Sequence, residues 1–376
     1  MNKNEIRNLF PFLSTGKIYF NHAAISPFSS VIVEEFRRYA HQRSATDVNN
    51  WPGVGRTIAE AKVRIGRLLN VKSDRIAFTE NVTNGINLLA SGIKWEKGDR
   101  IILNDLEFPA NVYPFMNLQK QGVEIDFVKS ADGKIRLEDI EKAITERTKL
   151  LSISHVQFLS GYRADMKAIG EICMKHGIIF CADVIQSAGA MIIDAQNWGV
   201  DFIAGGSQKW LMAMQGLGYV YVSEKLQEMI QPAYAGWTSV KDPWNLLDFN
   251  LELVDDASRY ENGTLNVLGI CVLNKSLGFF ETIGYENIEK QIIDNSVYFR
   301  DCLSAAGISP VMKNACSSEL SGIVSFNVNN GNEIFDELVK KDIIGSYREG
   351  LIRFSPHFYN TKEEIDKVIK EIRKLL

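Results

Sequence analysis

Short apolar runs alternate with stretches of helical spacing from about residue 74 onward. The runs predict strands over 75–79, 100–103, 123–128, 150–154, 178–181 and 202–204. Helices are predicted over 83–93 and 165–177, the second with Asp165 as its N-cap and Gly177 as its C-terminal stop. That second helix has a face of Ile169, Ile172, Cys173 and His176. The alternation predicts a mostly parallel sheet with helices on both faces.

The last third of the chain has a different pattern. The predicted elements there are helices over 265–283 and 286–303 and a strand over 321–326. A final helix begins at a capping box of Thr361 and Glu364, and its apolar face is Ile365, Val368, Ile369 and Ile372. We therefore predict a large domain over 16–263 and a smaller α+β domain over 264–376 together with 1–15, joined by a long helix.

Composition excludes several classes of protein. Apolar residues make up 45% and charged residues 23% of 376 residues, which is typical of a folded protein. A net charge of −4 argues against a nucleic-acid partner. No apolar run reaches the ~20 residues of a membrane span, and the first residues lack the apolar block of a secretion signal. Five cysteines without close pairs favour a reducing compartment, so we predict a cytoplasmic protein.

Common enzyme signatures are also missing from the sequence. The pair Gly53-Val-Gly55 lacks the third glycine of a dinucleotide-binding turn and does not follow a predicted strand. No segment has the Gly-Lys-Ser/Thr ending of a phosphate-binding loop, and no serine lies in Gly-x-Ser-x-Gly. The five histidines never occur at metal-ligand spacing, so no metal is predicted.

Three residues remain that suit one kind of chemistry. Asp183 directly follows a buried strand, where ligands bind in open α/β sheets, although a strand-end aspartate can be purely structural. Gln186 comes three residues later. Lys209 follows the next strand and precedes the uncharged stretch Gln215-Gly-Leu-Gly218. Burial there would lower the pKa of the amine, whereas a surface lysine is the plainer alternative.

Together these residues suit pyridoxal phosphate. Lys209 would form a Schiff base with the aldehyde, Asp183 would pair with the pyridine nitrogen, and Gln186 would bond the phenolic oxygen. The segment Thr79-Glu-Asn-Val-Thr-Asn-Gly85 joins a strand to a helix and offers phosphate donors at the helix N-terminus.

Eight segments occur in an order that resembles one family. They are Tyr19-Phe-Asn-His-Ala-Ala24, Thr83-Asn-Gly-Ile-Asn87, Glu107-Phe-Pro-Ala-Asn111, Ser154-His-Val156, Ala182-Asp-Val-Ile-Gln186, Ser207-Gln-Lys209-Trp210, Arg259-Tyr-Glu-Asn-Gly-Thr264 and Arg353-Phe-Ser-Pro-His-Phe-Tyr-Asn360. Over nearly the whole chain they resemble the class V aminotransferases, fold-type I pyridoxal-phosphate enzymes related to cysteine desulfurases, selenocysteine lyases, kynureninases and isopenicillin N epimerases. The resemblance implies an α/β transferase fold with a mostly parallel, seven-stranded type of sheet.

The resemblance also implies a role for each matching residue. Lys209 is the catalytic lysine, with Asp183 and Gln186 on the cofactor ring and Phe108 stacked against it. The implied phosphate ligands are Thr83, Ser207 and Gln208, with Thr264 reaching the phosphate of a neighbouring subunit, which requires a homodimer with shared active sites. Arg353 matches the arginine that binds the α-carboxylate of the substrate, and His22 and Ala23 lie in the segment that closes the site.

Departures from the family bear on the reaction. The histidine that often precedes the lysine in desulfurases is Gln208 here, and an asparagine often found after Ser-His-Val is Phe158. One desulfurase subgroup carries its cysteine shortly before the arginine that Arg353 matches, but 344–353 contains no cysteine here. Another subgroup carries it after the strand predicted over 321–326, whereas Cys316 comes before that strand. Cys173 and Cys181 lie on predicted core elements. Desulfuration through a persulfide is therefore disfavoured, and selenocysteine lyase chemistry is less firmly excluded.

The predicted function is that of a pyridoxal-phosphate enzyme acting on an α-amino acid through an external aldimine, nominally by amino transfer. Alternatives within the family are a lyase of the selenocysteine lyase or desulfurase type and an amino-acid epimerase. A non-catalytic regulator with this fold would be expected to have lost Lys209, Asp183, Gln186 or Arg353, and all four are present. A nicotinamide oxidoreductase would need the glycine-rich turn that the chain lacks.

Overall fold

The computed structural model describes residues 2–376, and twelve strands lie within them. In chain order they are β1 (Ile18–Tyr19), β2 (Ile76–Thr79), β3 (Arg100–Asn104), β4 (Glu124–Val128), β5 (Thr148–Ser154), β6 (Ile179–Asp183), β7 (Phe202–Gly206), β8 (Gly218–Val222), β9 (Val324–Phe326), β10 (Ile343–Ile344), β11 (Ser346–Arg348) and β12 (Leu351–Phe354). Seven form one sheet in the order β2-β8-β7-β6-β5-β3-β4. All its pairs are parallel except those of β8, which runs antiparallel to β2 and β7. The mostly parallel sheet is confirmed.

Thirteen α-helices connect these strands in the described part of the chain. They are α1 (Lys3–Arg7), α2 (Ser30–His41), α3 (Trp51–Leu69), α4 (Val82–Gly92), α5 (Tyr113–Met116), α6 (Leu137–Ala143), α7 (Met166–His176), α8 (Ala195–Trp198), α9 (Glu224–Met229), α10 (Val267–Ile283), α11 (Tyr285–Ala305), α12 (Gly331–Lys340) and α13 (Lys362–Leu375). No single one among residues 2–376 is long and apolar enough to cross a membrane; α10 and α11 reach that limit only as a pair bent by 80°.

Local capping determines where two of the predicted helices begin and end. The side chain of Asp165 accepts a hydrogen bond from the Ala168 amide at 3.0 Å, and Gly177 ends α7 at a φ of 66°, which glycine adopts without strain. Thr361 and Glu364 form the predicted capping box of α13. His176 was expected to pack on this helix or to cap it; the packing expectation was wrong, because His176 is exposed in the last turn of α7.

Both faces of the seven-stranded sheet are buried. Neighbouring residues of one strand point to opposite faces, so Ile102 joins one apolar cluster and Ile101 and Leu103 join the other. The first cluster includes residues of α3, α7 and α10, and the second includes residues of α4. Strands that are buried on both faces of a sheet are held rigidly. Their carboxyl ends are therefore fixed in position.

The C-terminal part forms a second core around a three-stranded antiparallel sheet, ordered β11-β12-β9. The N-terminus packs against it, because β1 pairs with β10 in parallel and the ring of Phe10 stacks on that of Tyr359 at 4.0 Å between centroids. This contact carries the segment after β1 to the edge of the large sheet.

Candidate active site

The carboxyl ends of three neighbouring strands meet at one edge of the large sheet. Ser154 at the end of β5 lies beside Asp183 at the end of β6, and Asp183 lies beside Ala204 on β7. Lys209 follows the end of β7 within three residues. The sheet therefore brings together Asp183 and Lys209, as predicted from the sequence.

Asp183 is a buried carboxylate without a cationic partner. It is 2% exposed, accepts a hydrogen bond from the Ile185 amide at 2.8 Å, and forms no ion pair with any lysine or arginine of residues 2–376. Burial raises the pKa of this carboxyl, and the charge of Glu107 adds to the rise, whereas Lys209 opposes it. A buried charge in this position is costly unless a positively charged donor satisfies it. The protonated nitrogen of a pyridine ring is such a donor.

Lys209 faces an aromatic ring instead of a carboxylate. Its Nζ lies 5.7 Å from the centroid of Phe108, and Phe108 packs edge to face against Phe158 at 5.2 Å. Burial lowers the pKa of the amine, while the charge of Asp183 opposes this. A lysine of lowered pKa is more often unprotonated and hence nucleophilic. Phe108 is 40% exposed, so part of its ring is accessible to a ligand.

The side-chain amide of Gln186 is held in one orientation. Its Oε1 accepts from Trp210 Nε1 at 2.9 Å, and its Nε2 donates to the carbonyl of Ala23 at 3.0 Å. The second N–H of this nitrogen remains for a cofactor oxygen. The amide also ties the N-terminal segment to the site, which puts Ala23 beside the predicted cofactor position.

His22 supports this segment from behind. It is fully buried; its Nδ1 lies 2.8 Å from the Ser355 carbonyl and its Nε2 lies 2.8 Å from the Tyr359 hydroxyl. Burial lowers the pKa of the ring to about 3. Both ring nitrogens are thus used within the protein. A direct hydrogen bond to substrate would have to come from another group of the segment, and substrate binding by His22 stays a prediction.

One predicted phosphate ligand, Thr83, lies at the N-terminus of α4. Asn81 caps this helix through the Asn84 amide, and Thr83 is exposed in its first turn. A Cβ on Gly85 would lie 2.7 Å from Val220, so only glycine lets the helix end approach the sheet this closely. The exposed amides and the helix dipole suit an anion.

Two further phosphate candidates lie in the turn after β7. The hydroxyl of Ser207 donates to the carbonyls of Met214 and Leu217, so in this conformation it does not point to a phosphate. Gln208 is half-buried, and its carbonyl accepts from the Ser26 amide. Phosphate binding by Ser207 and Gln208 rests on the resemblance and stays a prediction.

Arg353 on β12 lies at the opposite wall. It is 1% exposed; its Nη1 donates to the Phe158 carbonyl at 2.6 Å and its Nε to Ser346 Oγ at 3.1 Å. Its Nη2 has no hydrogen-bond partner among residues 2–376. Burial and then the charge of Arg348 lower the pKa of Arg353 to about 9. A buried guanidinium without a carboxylate is ready to receive one from a ligand.

Glu107 is a functional candidate to which the sequence analysis assigned no role. Its buried carboxylate accepts hydrogen bonds from the side-chain amides of Asn104, Asn111 and Gln157 and from both the amide and the hydroxyl of Ser154. Because these donors come from β3, from β5 and from the loops after them, the carboxylate fixes the loop that carries Phe108. Two asparagines within four positions of a glutamate were the available signal.

Comparison with known proteins identifies the family. The model of the family described as aminotransferase class V matches residues 18–368. The chain belongs to the class V aminotransferase family. This family uses pyridoxal phosphate, so the predicted cofactor and the prediction of an enzyme acting on an amino acid are confirmed.

Relatives within the class V family carry two kinds of name. A probable cysteine desulfurase of Methanothermobacter thermautotrophicus is 28% identical over 97% of this chain and 96% of its own length. The uncharacterized aminotransferase YcbU of Bacillus subtilis is 27% identical over 98% of this chain and 96% of its own. The family therefore includes similar chains named for different reactions.

Solved structures have the same fold. The apo cysteine desulfurase of Thermococcus onnurineus gives a TM-score of 0.90 at 24% identity, covering 99% of this chain and 97% of its own. A lysine-to-alanine variant of C-DES with glycine covalently linked to its pyridoxal-phosphate cofactor gives 0.91 at 22%, covering 98% of each chain. The predicted fold class is confirmed.

Three cysteines of this class V chain bear on the prediction that disfavoured a persulfide. Cys173 and Cys181 are buried, as predicted, and burial raises the pKa of both thiols, that of Cys173 to about 12. Cys316 is exposed, also as predicted, and its Sγ lies 3.2 Å from a carboxylate oxygen of Glu319.

Proposed function

We propose that Lys209 holds pyridoxal phosphate covalently and that Asp183, Gln186 and Phe108 bind its ring. The enzyme then acts on an α-amino acid, nominally by amino transfer. One observation carries this proposal: an amine and a carboxylate, both unpaired, lie at neighbouring strand ends of one sheet edge. The cofactor supplies an electron sink that eases breaking of a bond at the substrate α-carbon.

Each residue of the chain has a separate task in this proposal. Asp183 keeps a proton on the ring nitrogen, since its buried carboxylate has no other cation to pair with. Lys209, once free, moves the proton at the α-carbon, because its lowered pKa suits a general base. Phe108 covers one face of the ring and excludes water. Arg353 orients the substrate through its α-carboxylate.

The phosphate would lie at the N-terminus of α4 with Thr83 as a ligand. Ser207 and Gln208 complete this set in the proposal. The support is the exposed first turn of the helix and the close approach that Gly85 permits.

We propose further that the active enzyme is a homodimer. Thr264 is exposed, and the loop over 234–251 exposes seven large apolar side chains, which are Tyr234, Trp237, Trp244, Leu246, Leu247, Phe249 and Leu251. Apolar surface of this extent is typical of a protein interface. A second copy would cover it and bring Thr264 to the partner's phosphate.

The division into domains is proposed as predicted, with residues 1–15 joining 264–376. The stacking of Phe10 on Tyr359 supports this grouping. In this arrangement Arg353 comes to the site from the smaller domain. Lys209, Asp183 and the segment with His22 and Ala23 come from the larger.

Carbon–sulfur elimination is the second candidate. The turn between β11 and β12 contains only Glu349 and Gly350, so no thiol precedes Arg353 there. A lyase that releases sulfur without a protein thiol would fit this site. One structure of the same fold, at a TM-score of 0.88 and 22% identity, is that of a cystine C–S lyase with its reaction product.

The deciding experiment combines attachment and product analysis. Borohydride reduction of the yellow protein, followed by peptide mass mapping, should find the cofactor on Lys209. Incubation with a panel of amino acids, with and without a keto-acid acceptor, separates the two reactions. Keto-acid-dependent amino transfer supports the first candidate, and sulfide or persulfide release without an acceptor supports the second. Attachment to another lysine would refute the assignment of Lys209.

A further inference from the structure

A second arginine shares the face of Arg353. In the register of the hairpin, Ser346 pairs with Arg353, and Arg348 pairs with Leu351. Directly paired residues of antiparallel strands point to the same face, and so do residues two apart on one strand. Ser346, Arg348 and Arg353 therefore lie on one face, and the hydrogen bond from Arg353 Nε to Ser346 Oγ at 3.1 Å shows it.

The residue between them points the other way. Tyr347 stacks with Phe335 of α12 at 6.3 Å between ring centroids, on the opposite side of the hairpin. The side chains of β11 therefore alternate regularly between the two faces of the hairpin as far as Arg348. The turn that follows is short, with Glu349 and Gly350 at φ values of 48° and 78°, as in a tight hairpin. Arg348 is therefore anchored at a defined strand end.

Arg348 lacks an anionic partner within the protein. The side chain of Arg348 forms no hydrogen bond and no ion pair with residues 2–376. The guanidinium of Arg353 likewise contacts no carboxylate among them. The charge of Arg348 contributes to lowering the pKa of both Lys209 and Arg353, so all three cations act on one space. Two buried carboxylates lie near this space, since the charge of Asp183 acts on Lys209 and that of Glu107 acts on Asp183.

Neither of these anions is available to Arg348. Glu107 already accepts five hydrogen bonds, and Asp183 is assigned to the cofactor ring in the proposed function. Two arginines held on one face repel each other unless anions lie between or beside them. One α-carboxylate satisfies Arg353, which leaves the charge of Arg348 for another anion.

We propose that Arg348 binds a second carboxylate, at the end of the substrate side chain, so that the substrates are dicarboxylic α-amino acids and the matching keto acids. This rests on the proposed function, in which Arg353 takes the α-carboxylate. A planar guanidinium recognises a carboxylate through two parallel hydrogen bonds. Two arginines also suit amino transfer between two dicarboxylic compounds, because the same pair of sites serves donor and acceptor.

The test measures binding without turnover. Isothermal titration of the holoenzyme compares succinate and glutarate, which carry two carboxylates, with propionate and butyrate, which carry one. Wild type should bind the dicarboxylates at least about tenfold more tightly, the size of one charge-assisted hydrogen-bond pair. Arg348→Gln should abolish this preference and leave the affinity for monocarboxylates within about twofold. Arg353→Gln should weaken both kinds of ligand.

Arg373→Gln is the matched control, since Arg373 is exposed in the last turn of α13 and is not part of the hairpin. Equal weakening of both ligand kinds by Arg348→Gln would mean that the two arginines grip one carboxylate, and would overturn the proposal. So would an unchanged preference in that variant, or no preference in wild type. Failure of the proposed function has a different signature, which is a reduced cofactor that maps to a lysine other than Lys209.

Discussion

The two ends of the candidate site are built differently. Asp183 and Lys209 lie at the ends of parallel strands that are buried on both faces of the large sheet. Arg348 and Arg353 lie on a three-residue and a four-residue strand of a small sheet, joined by a two-residue turn. The first arrangement cannot change without disturbing a core, whereas the second can change by lengthening one hairpin. In the proposed function, residues at the ends of the sheet strands therefore bind the cofactor, and residues of the hairpin select the substrate.

The variant Lys209→Ala tests this difference with the largest expected effect. It should remove the visible cofactor band after dialysis and slow turnover by at least about 10²–10⁴-fold, the contribution of a general base alone. The far-ultraviolet circular dichroism should stay unchanged, because the side chain packs on one aromatic ring and has no polar partner. Full activity in this variant would remove the lysine from the site.

Asp183→Asn tests the same end with a smaller change. An amide cannot balance a protonated ring nitrogen, so turnover should fall by about 10²–10³-fold. Cofactor affinity, measured by fluorescence titration, should fall much less because the phosphate contacts remain. An equal loss of affinity and rate would show that Asp183 only holds the cofactor.

In the hairpin, Arg353→Lys should weaken substrate binding alone. The charge remains, but the two-pronged hydrogen bonding is lost, so the apparent KM should rise by about tenfold to a hundredfold with kcat little changed. The cofactor spectrum without substrate should match wild type. A drop in kcat at constant KM would contradict a role in α-carboxylate binding.

Glu107→Gln tests how the loop with Phe108 is held. The side-chain NH2 group of the new glutamine would face the N–H and O–H donors that now bind the carboxylate of Glu107. The free energy of unfolding should therefore fall by about 1–3 kcal/mol. Urea denaturation measures this, and Glu333→Gln on the exposed side of α12 is the control. Equal stability of the two variants would show that water replaces the lost contacts.

The smallest effect is expected from Cys316→Ser. An exposed thiol outside both arrangements should leave turnover of the true substrate within about twofold. Steady-state kinetics and a persulfide assay check this. A dead variant that also fails to form a persulfide from cysteine would restore desulfuration through a protein thiol.

The sequence could predict the cofactor end because its signals are local. A buried run followed at once by Asp183 indicates a strand end, and the cap at Asp165 indicates where α7 begins. Strand β8 was missed, since it follows a glycine-rich stretch and pairs antiparallel in a sheet that otherwise predicts parallel neighbours. The helices before residue 74 were also not predicted.

The roles of Glu107 and Arg348 depend on contacts that a single sequence does not encode locally. Glu107 meets donors about fifty positions further along the chain, at Ser154 and Gln157. The side of the hairpin on which Arg348 lies follows from the register with β12, which three-residue strands do not reveal by periodicity. The packing of His176 was wrongly predicted for a related reason. Helical spacing shows which residues share a face of α7, but it does not show whether a neighbouring element extends far enough to cover each of them.

The pairing of β1 with β10 has a consequence for how the molecule is made. The ring of His22 contacts the carbonyl of Ser355 across 333 positions of sequence, so the first part of the chain finds its partner only after nearly all the rest has left the ribosome. Loop closure over such a distance is a slow, late step. The wall of the site that contains Ala23 is therefore expected to dock last, and truncation at the C-terminus would leave the N-terminal residues without a place to fold.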